Sequence, residues 1–341
     1  MKQAGTFEEL HRVSRPVCLA AGFFDGMHLG HQKVIRQTVM NARKVDGEAW
    51  VMTFDRHPLR VLNPQAAPRL LTSFRHKMRM LEHLEVDGCL AIPFNRKFAQ
   101  CKPQDFIAQL KACSPPLQEI MVGRNWRFGQ QGKGSARMLA AQCRNLIKVS
   151  VARPAVYRGE TISSTRTRVS IVRGNLDEAE RMLGRPFSIL GNVIHGRTVG
   201  RQLGYPTANM DTENEVLPPF GVYAVMAWTP PYLLPAVLSL GTRPTFRDAG
   251  EGPCMEVHLL DYEGDLYGHD IEVFFIKHIR DEHAFTCREE LREQIARDVK
   301  QARSILRKTR GTVIDWLTRY TGGNQVSDVS RQEAAEMRRK S

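Results

Sequence analysis

Residues 22–31 read Gly22-Phe23-Phe24-Asp25-Gly26-Met27-His28-Leu29-Gly30-His31, with two histidines flanking a glycine where a strand pattern gives way to a helical one. The free N–H groups and the dipole of a helix start favour an anion there. Gly30 lacks a Cβ and lets the backbone approach a phosphate closely. His28 and His31 can donate hydrogen bonds to phosphate oxygens, most strongly as a transition state gains charge. H-x-G-H is a short pattern, equally compatible with two surface histidines at a helix start. A second segment adds weight. Ile162-Ser163-Ser164-Thr165-Arg166-Thr167-Arg168 follows the last strand pattern of this half and opens another helix. Hydroxyls at an N-cap with arginines in the first turn make a second phosphate clamp. The plain alternative is helix capping by Ser164 or Thr165. Both segments sit after a strand and before a helix, on one edge of the same sheet.

The second half opens with a glycine- and arginine-rich stretch, His195 to Asn209, in which Gly200 and Arg201 suit a loop against phosphates. Thr207 and Asn209 lie two residues apart, on one face of an extended segment. A hydroxyl and an amide carbonyl suit Mg²⁺ that also keeps waters and nucleotide phosphates. An ordinary glycine-rich hairpin is the alternative. Further on, Met255-Glu256-Val257-His258-Leu259 places Glu256 and His258 on one strand face, an expected acid–base pair. The Glu256 carboxylate could take the proton of an alcohol attacking a γ-phosphate; a solvent-facing strand with two satisfied polar side chains is the alternative. The stretch Gly129 to Ser135 imitates a phosphate loop, but Gly134 stands where the hydroxyl after the lysine belongs.

The elements that must position these residues follow two grammars. Strand patterns at 17–21, 49–54, 88–92, 119–122 and 147–152 alternate with helical patterns at 30–43, 74–84 and 103–110, which implies a parallel, Rossmann-like α/β sheet. Such sheets bind ligands at the carboxyl ends of their strands. After Gly184-Arg185-Pro186, strands at 188–194, 221–228, 234–240, 255–260 and 271–276 follow one another without helices, the pattern of an antiparallel β-barrel. A helix from Arg288 to about Leu306 closes it. The boundaries read as 1–185, 186–310 and a basic C-terminal tail, 311–341.

The chain has 341 residues and a net charge of +13, from 49 basic and 36 acidic side chains. The basic residues are spread along the sequence without a nucleic-acid-binding motif, so the excess is assigned to polyanionic small substrates. No apolar run is long enough to span a membrane and no secretory core opens the chain. Seven cysteines without a C-x-x-C pair argue against a disulfide framework or zinc site, and the cytoplasm is the expected location.

G-x-F-D-G-x-H-x-G-H followed by I-S-S-T-x-x-R resembles the nucleotidyltransferase signature. With Thr53-Phe54-Asp55-Arg56-His57-Pro58 and Val122-Gly123-Arg124-Asn125-Trp126-Arg127-Phe128-Gly129, the first half is similar to prokaryotic FAD synthetases. G-R-x-L-G-[FY]-P-T-A-N, G-T-R-P-T-F and E-V-H-L-L-D resemble the riboflavin kinase domain, which is fused behind it in the bifunctional bacterial riboflavin kinase/FMN adenylyltransferases. The resemblance implies phosphorylation of riboflavin to FMN and adenylylation of FMN to FAD, with ATP and Mg²⁺. It places Gly22, Asp25, His28, Gly30, His31, Ser164, Thr165 and Arg168 at one ATP. It sets Thr207 and Asn209 at a second Mg²⁺-bound ATP, with Glu256 as base. Pro58, Asn125 and Phe128 in one half, and Arg280 and Glu282 in the other, match flavin positions. Phe23 and Ser239 stand where many relatives carry Asn. A kinase with a non-catalytic first half and a non-enzymatic flavin- or nucleotide-binding protein are the alternatives.

Overall fold

A computed structural model describes residues 1–114, 116–195, 203–242, 253–262 and 264–320, in two compact units, Met1–Thr167 and Arg168–Ser341.

In the first unit, β1 (Lys2–Ala4), β2 (Val17–Ala21), β3 (Glu48–Phe54), β4 (Gly88–Ile92), β5 (Leu117–Gly123) and β6 (Lys148–Ala152) form a parallel sheet in the order β1-β4-β3-β2-β5-β6. All five residues of β2 are buried, as a strand covered on both faces requires. From β2 the chain builds outward through β3 and β4 on one side and through β5 and β6 on the other. The switch point between β2 and β5 therefore opens a crevice beyond their carboxyl ends. Helix α1 (Leu29–Lys44) buries Val34, Ile35, Thr38 and Ala42, one helical face, against this sheet. Helix α2 (Phe74–His83) follows β3, and α3 (Pro103–Ala112) packs Phe106, Ile107 and Leu110 into the core. Edge strand β1 has three residues and a single buried side chain, too short for an alternation to be read. A small hairpin, Val156–Tyr157 with Glu160–Thr161, separates β6 from helix α4 (Ser164–Val172).

In the second unit, α5 (Leu176–Leu183) ends on Gly184 in the left-handed conformation (φ 70°). The barrel comprises β7 (Ser188–Ile194), β8 (Ala208–Thr212), β9 (Gly221–Thr229), β10 (Tyr232–Thr242), β11 (Pro253–Leu259) and β12 (Asp270–Arg280), closed in the order β7-β8-β11-β10-β9-β12. Strand β8 is not among the strands read from the sequence. Its Ala208, Asn209 and Asp211 are poor strand formers, and the segment gains its place from pairing with β7 and β11. Helix α6 (Arg288–Tyr320) runs well past the expected end near Leu306. Ala302, Leu306 and Val313 lie on one buried stripe, and the ring of Trp316 meets Phe274 at 5.6 Å.

Candidate functional site

The first candidate site lies in the first unit. Between β2 and α1 the backbone is left-handed at Phe24 (φ 57°), Gly26 (80°) and Met27 (46°), and this knot turns His28 and His31 back over the strand ends. Such backbone costs about 1–3 kcal/mol for each non-glycine residue, so the surroundings must hold it. Asp25 supplies part of that hold. It is buried, and its Oδ1 accepts the N–H groups of Leu71 (2.9 Å) and Thr72 (3.2 Å). Its carbonyl accepts the Ser164 hydroxyl at 2.9 Å, which ties the start of α4 to the same loop. Ser163, rather than Ser164 or Thr165, caps α4: its Oγ accepts the N–H of Arg166.

His28 caps α1, its Nδ1 accepting the His31 N–H at 3.3 Å. With Nδ1 as acceptor, the neutral ring carries its proton on Nε2 and is a donor there. The two imidazoles stack with centroids 3.6 Å apart and planes 21° apart. Burial lowers His28 to about 4. His31 is held well below its ordinary value by burial, then by His28 and Lys77. Both rings are therefore neutral donors at neutral pH. A Cβ on Gly30 would press on the His28 ring at 3.0 Å, a second reason for glycine there.

A cavity of about 690 Å³ opens at the switch point, lined among others by Gly22, His28, Gly30, His31, Ser164 and Thr165. Arg168, a turn further along α4, is half-buried and does not line it. A second cavity of about 410 Å³ shares Gly22, Phe23, Asn125 and Trp126 with the first. Pro58, Phe94, Phe98 and Phe128 give it an aromatic wall suited to a flat ring. Phe128 packs on Phe106 (4.9 Å) and Trp126 (5.0 Å). Sequence reasoning missed Lys77, whose buried ammonium donates to the Phe23 carbonyl at 2.8 Å and lies 4.1 Å from the Phe23 ring centroid. Burial lowers it to about 8, with Asp25 opposing. A lone lysine in a helix carries no sequence signal for that role. Also missed were Arg124 and Arg153, each immediately following the paired strand ends Gly123 and Ala152.

The second candidate site lies on the barrel. Asn209 and Ser239 pair with Glu256 from the two neighbouring strands, so the three side chains form a row. The Thr207 hydroxyl donates to Glu256 Oε2 at 3.4 Å, and Cys254 Sγ lies 3.9 Å from both Asn209 Oδ1 and Glu256 Oε1. A hydroxyl, an amide carbonyl and a carboxylate are the oxygen donors a hard cation takes, so Mg²⁺ fits this set. Thr207 also lines a cavity of about 530 Å³ with Ala208, Tyr262, Asp265 and Tyr267. His258 shares the Glu256 face, as expected, but does not form an acid–base pair with it. Its Nδ1–H donates to the Pro206 carbonyl at 2.8 Å, and burial lowers its pKa, so it straps the segment that carries Thr207. Arg280 is committed to Asp298 of α6 through Nε (3.0 Å) and Nη2 (2.9 Å), with its guanidinium over the Phe285 ring at 5.6 Å. The Glu282 carboxylate lies against Gly241. Gly200 and Arg201 lie outside the described residues.

A switch-point sheet with a neutral histidine pair in the first unit, and a barrel that presents a carboxylate among oxygen donors in the second, define a nucleotidyltransferase coupled to a kinase. Comparison with known proteins gives the same pairing. The FAD synthetase family model matches residues 10–166, and the riboflavin kinase model matches residues 183–306. The chain is 38% identical over 316 residues to the bifunctional riboflavin kinase/FMN adenylyltransferase of Escherichia coli strain K12, covering 91% of this chain and 99% of that one. It is 34% identical over 287 residues to the protein so named in Bacillus subtilis strain 168, covering 83% and 90%. A crystal structure from Streptococcus pneumoniae, of a protein named as a macrolide-efflux protein, superposes with TM-score 0.76 at 31% identity over 88% of this chain and 98% of that one. That name indicates transport, whereas both family models name enzymes and no helix among the described residues is long and apolar enough to cross a membrane. The chain belongs to the bifunctional riboflavin kinase/FMN adenylyltransferase family. It phosphorylates riboflavin to FMN and adenylylates FMN to FAD, with ATP as donor in both steps.

Proposed function

We propose that residues 1–185 carry the adenylyl transfer and 186–310 the phosphorylation, with the roles divided as follows. At the switch point the FMN phosphate attacks the α-phosphorus of ATP. The bond to the bridging oxygen breaks, and pyrophosphate leaves. His28 and His31, with Gly22, Gly30, Ser164 and Thr165, hold the triphosphate, and Arg168 is assigned to the phosphates on its sequence alone. The histidines act as neutral donors, so their bonds strengthen as charge builds on the phosphate oxygens. Asp25 acts by positioning, since its carboxylate faces backbone N–H groups. Pro58, Asn125 and Phe128 receive the flavin ring. The single observation that carries this half is the shared wall between the phosphate-side cavity and the aromatic one.

On the barrel, Glu256 accepts the proton of the riboflavin primary alcohol as its oxygen attacks the γ-phosphorus and ADP departs. Thr207 and Asn209 would hold Mg²⁺, which when bound supplies positive charge for the transferring phosphoryl group. Gly200 and Arg201 are assigned to the ATP phosphates on their sequence alone. Glu282 is assigned to the flavin, and Arg280 to holding that segment through Asp298. Free ATP and reduced thiols fit a cytoplasmic enzyme, and no disulfide joins the cysteines among the described residues.

The test is a time course with purified protein, riboflavin, ATP and Mg²⁺, resolved chromatographically. FMN rising before FAD is the expected result. FMN that is not converted, even when supplied directly, would leave the first unit without its assigned activity.

A further inference from the structure

The neutral state of the histidine pair raises a question of charge, because the triphosphate and the FMN phosphate bring several negative charges into one cavity. Among the described residues that line the 690 Å³ cavity, only Arg124 and Arg153 are charged at neutral pH. Their placement follows from the sheet. Gly123 of β5 and Ala152 of β6 are register partners on adjacent parallel strands, so the next residue of each strand emerges side by side at the carboxyl edge. Both side chains are exposed, and among the described residues neither has a hydrogen-bond or ion-pair partner. Arg166 and Arg56, by contrast, are already engaged. Arg166 donates to the Tyr157 carbonyl at 2.9 Å, and Arg56 is paired with Asp55.

We propose that Arg124 and Arg153 form a paired guanidinium clamp for phosphate oxygens at this edge of the cavity. The proposal rests on the adenylyltransferase reading of this cavity. Guanidinium suits the task because its planar fork can hold two oxygens at once and it stays charged at any working pH. The next residue after Arg124, Asn125, lines both cavities, so the clamp adjoins the lining that phosphate side and flavin side share. Its ligand is a phosphate anion, from either the FMN monoester or the ATP chain.

Arg124→Ala, Arg153→Ala, the double variant and both lysine variants decide it in the full-length chain. Conversion of FMN and ATP to FAD is measured with each substrate varied in turn, at low and high ionic strength. Riboflavin phosphorylation in the same preparation reports that the chain is folded. Each alanine variant is expected to raise the KM of one phosphate substrate about tenfold or more, with phosphorylation unchanged. A rise for FMN identifies the monoester as ligand, and a rise for ATP identifies the triphosphate. Lysine should restore part of the loss, since it keeps the charge but not the fork. The salt dependence of the affected KM should shrink in the double variant. Unchanged KM values and salt dependence in the double variant, with wild-type protein making FAD, would overturn the clamp. If the wild-type protein made no FAD, the adenylyltransferase reading itself would fall. Calorimetric binding of inorganic pyrophosphate would then still decide the clamp: about tenfold weaker binding by the double variant supports it, and equal binding rejects it.

Discussion

The carboxylate of Glu282 occupies the space that any side chain at position 241 would need. Gly241 pairs with Cys254 and, two residues earlier on β10, Ser239 pairs with Glu256, so the Gly241 site opens on the same barrel face as Glu256. The glycine therefore seats a second carboxylate beside the assigned base. Gly241→Ala should push Glu282 aside rather than disturb the strand, because the clash falls on the far end of a flexible side chain. Displacement of this kind should reduce riboflavin phosphorylation by as much as about 100-fold and spare FAD formation from FMN. In a Glu282→Ala background the same substitution should add little. Equal losses in both backgrounds would show that Gly241 acts otherwise.

Glu256→Gln keeps the shape of the row Asn209–Glu256–Ser239 and the contact with Thr207 but removes the proton acceptor. FMN formation should fall by about 10²–10⁴, with conversion of supplied FMN to FAD retained. A variant phosphorylating at near wild-type rate would remove Glu256 from the role of base.

His28 makes stability depend on acid. Its folded value, about 4, lies below the ordinary 6.5. Above pH 6.5 neither state is protonated and the group contributes nothing to the pH dependence. As pH falls from 6.5 to about 4, the unfolded chain takes up the proton and the folded chain does not, so stability falls, by about 3 kcal/mol at most. His31 acts in the same direction. Thermal melts should show His28→Asn with a shallower loss than wild type across that window. Parallel curves would mean that His28 is not held neutral.

Arg280 and Asp298 join β12 to α6 with Asp298 almost fully buried and Gln294 as its further partner. Arg280→Ala leaves that carboxylate without its cation, at a cost of about 3 kcal/mol, read as a lower midpoint in denaturant. An unchanged midpoint would mean that solvent reaches Asp298.

Ending the chain after Arg310 removes Val313, which is fully buried, and Trp316, whose ring packs on Phe274 with the Arg185 guanidinium 5.8 Å from its centroid. The barrel should lose about 3–5 kcal/mol, seen as a lower melting temperature of the kinase activity. If the truncated chain melted with the full one, the last turns of α6 would be dispensable.

By itself the sequence determined the two grammars, strand–helix alternation and then strands alone, because side-chain period and turn residues are local properties. It also determined the chemistry-bearing segments around His28, Ser164, Thr207 and Glu256, whose residue types and spacing are local too. Tertiary structure alone decided what each of those groups faces. The Ser164 hydroxyl reaches the Asp25 carbonyl although 139 residues separate them, and His258 turned from Glu256 to the Pro206 carbonyl. The short strands β1 and β8 exist because neighbouring strands satisfy their backbone, which no local pattern records. Lys77 is buried among Phe23 and Thr53, and Arg124 stands beside Arg153, only once strands far apart in the chain are brought into register. Local spacing specifies which atoms are present; register and burial specify which of them meet and which remain charged.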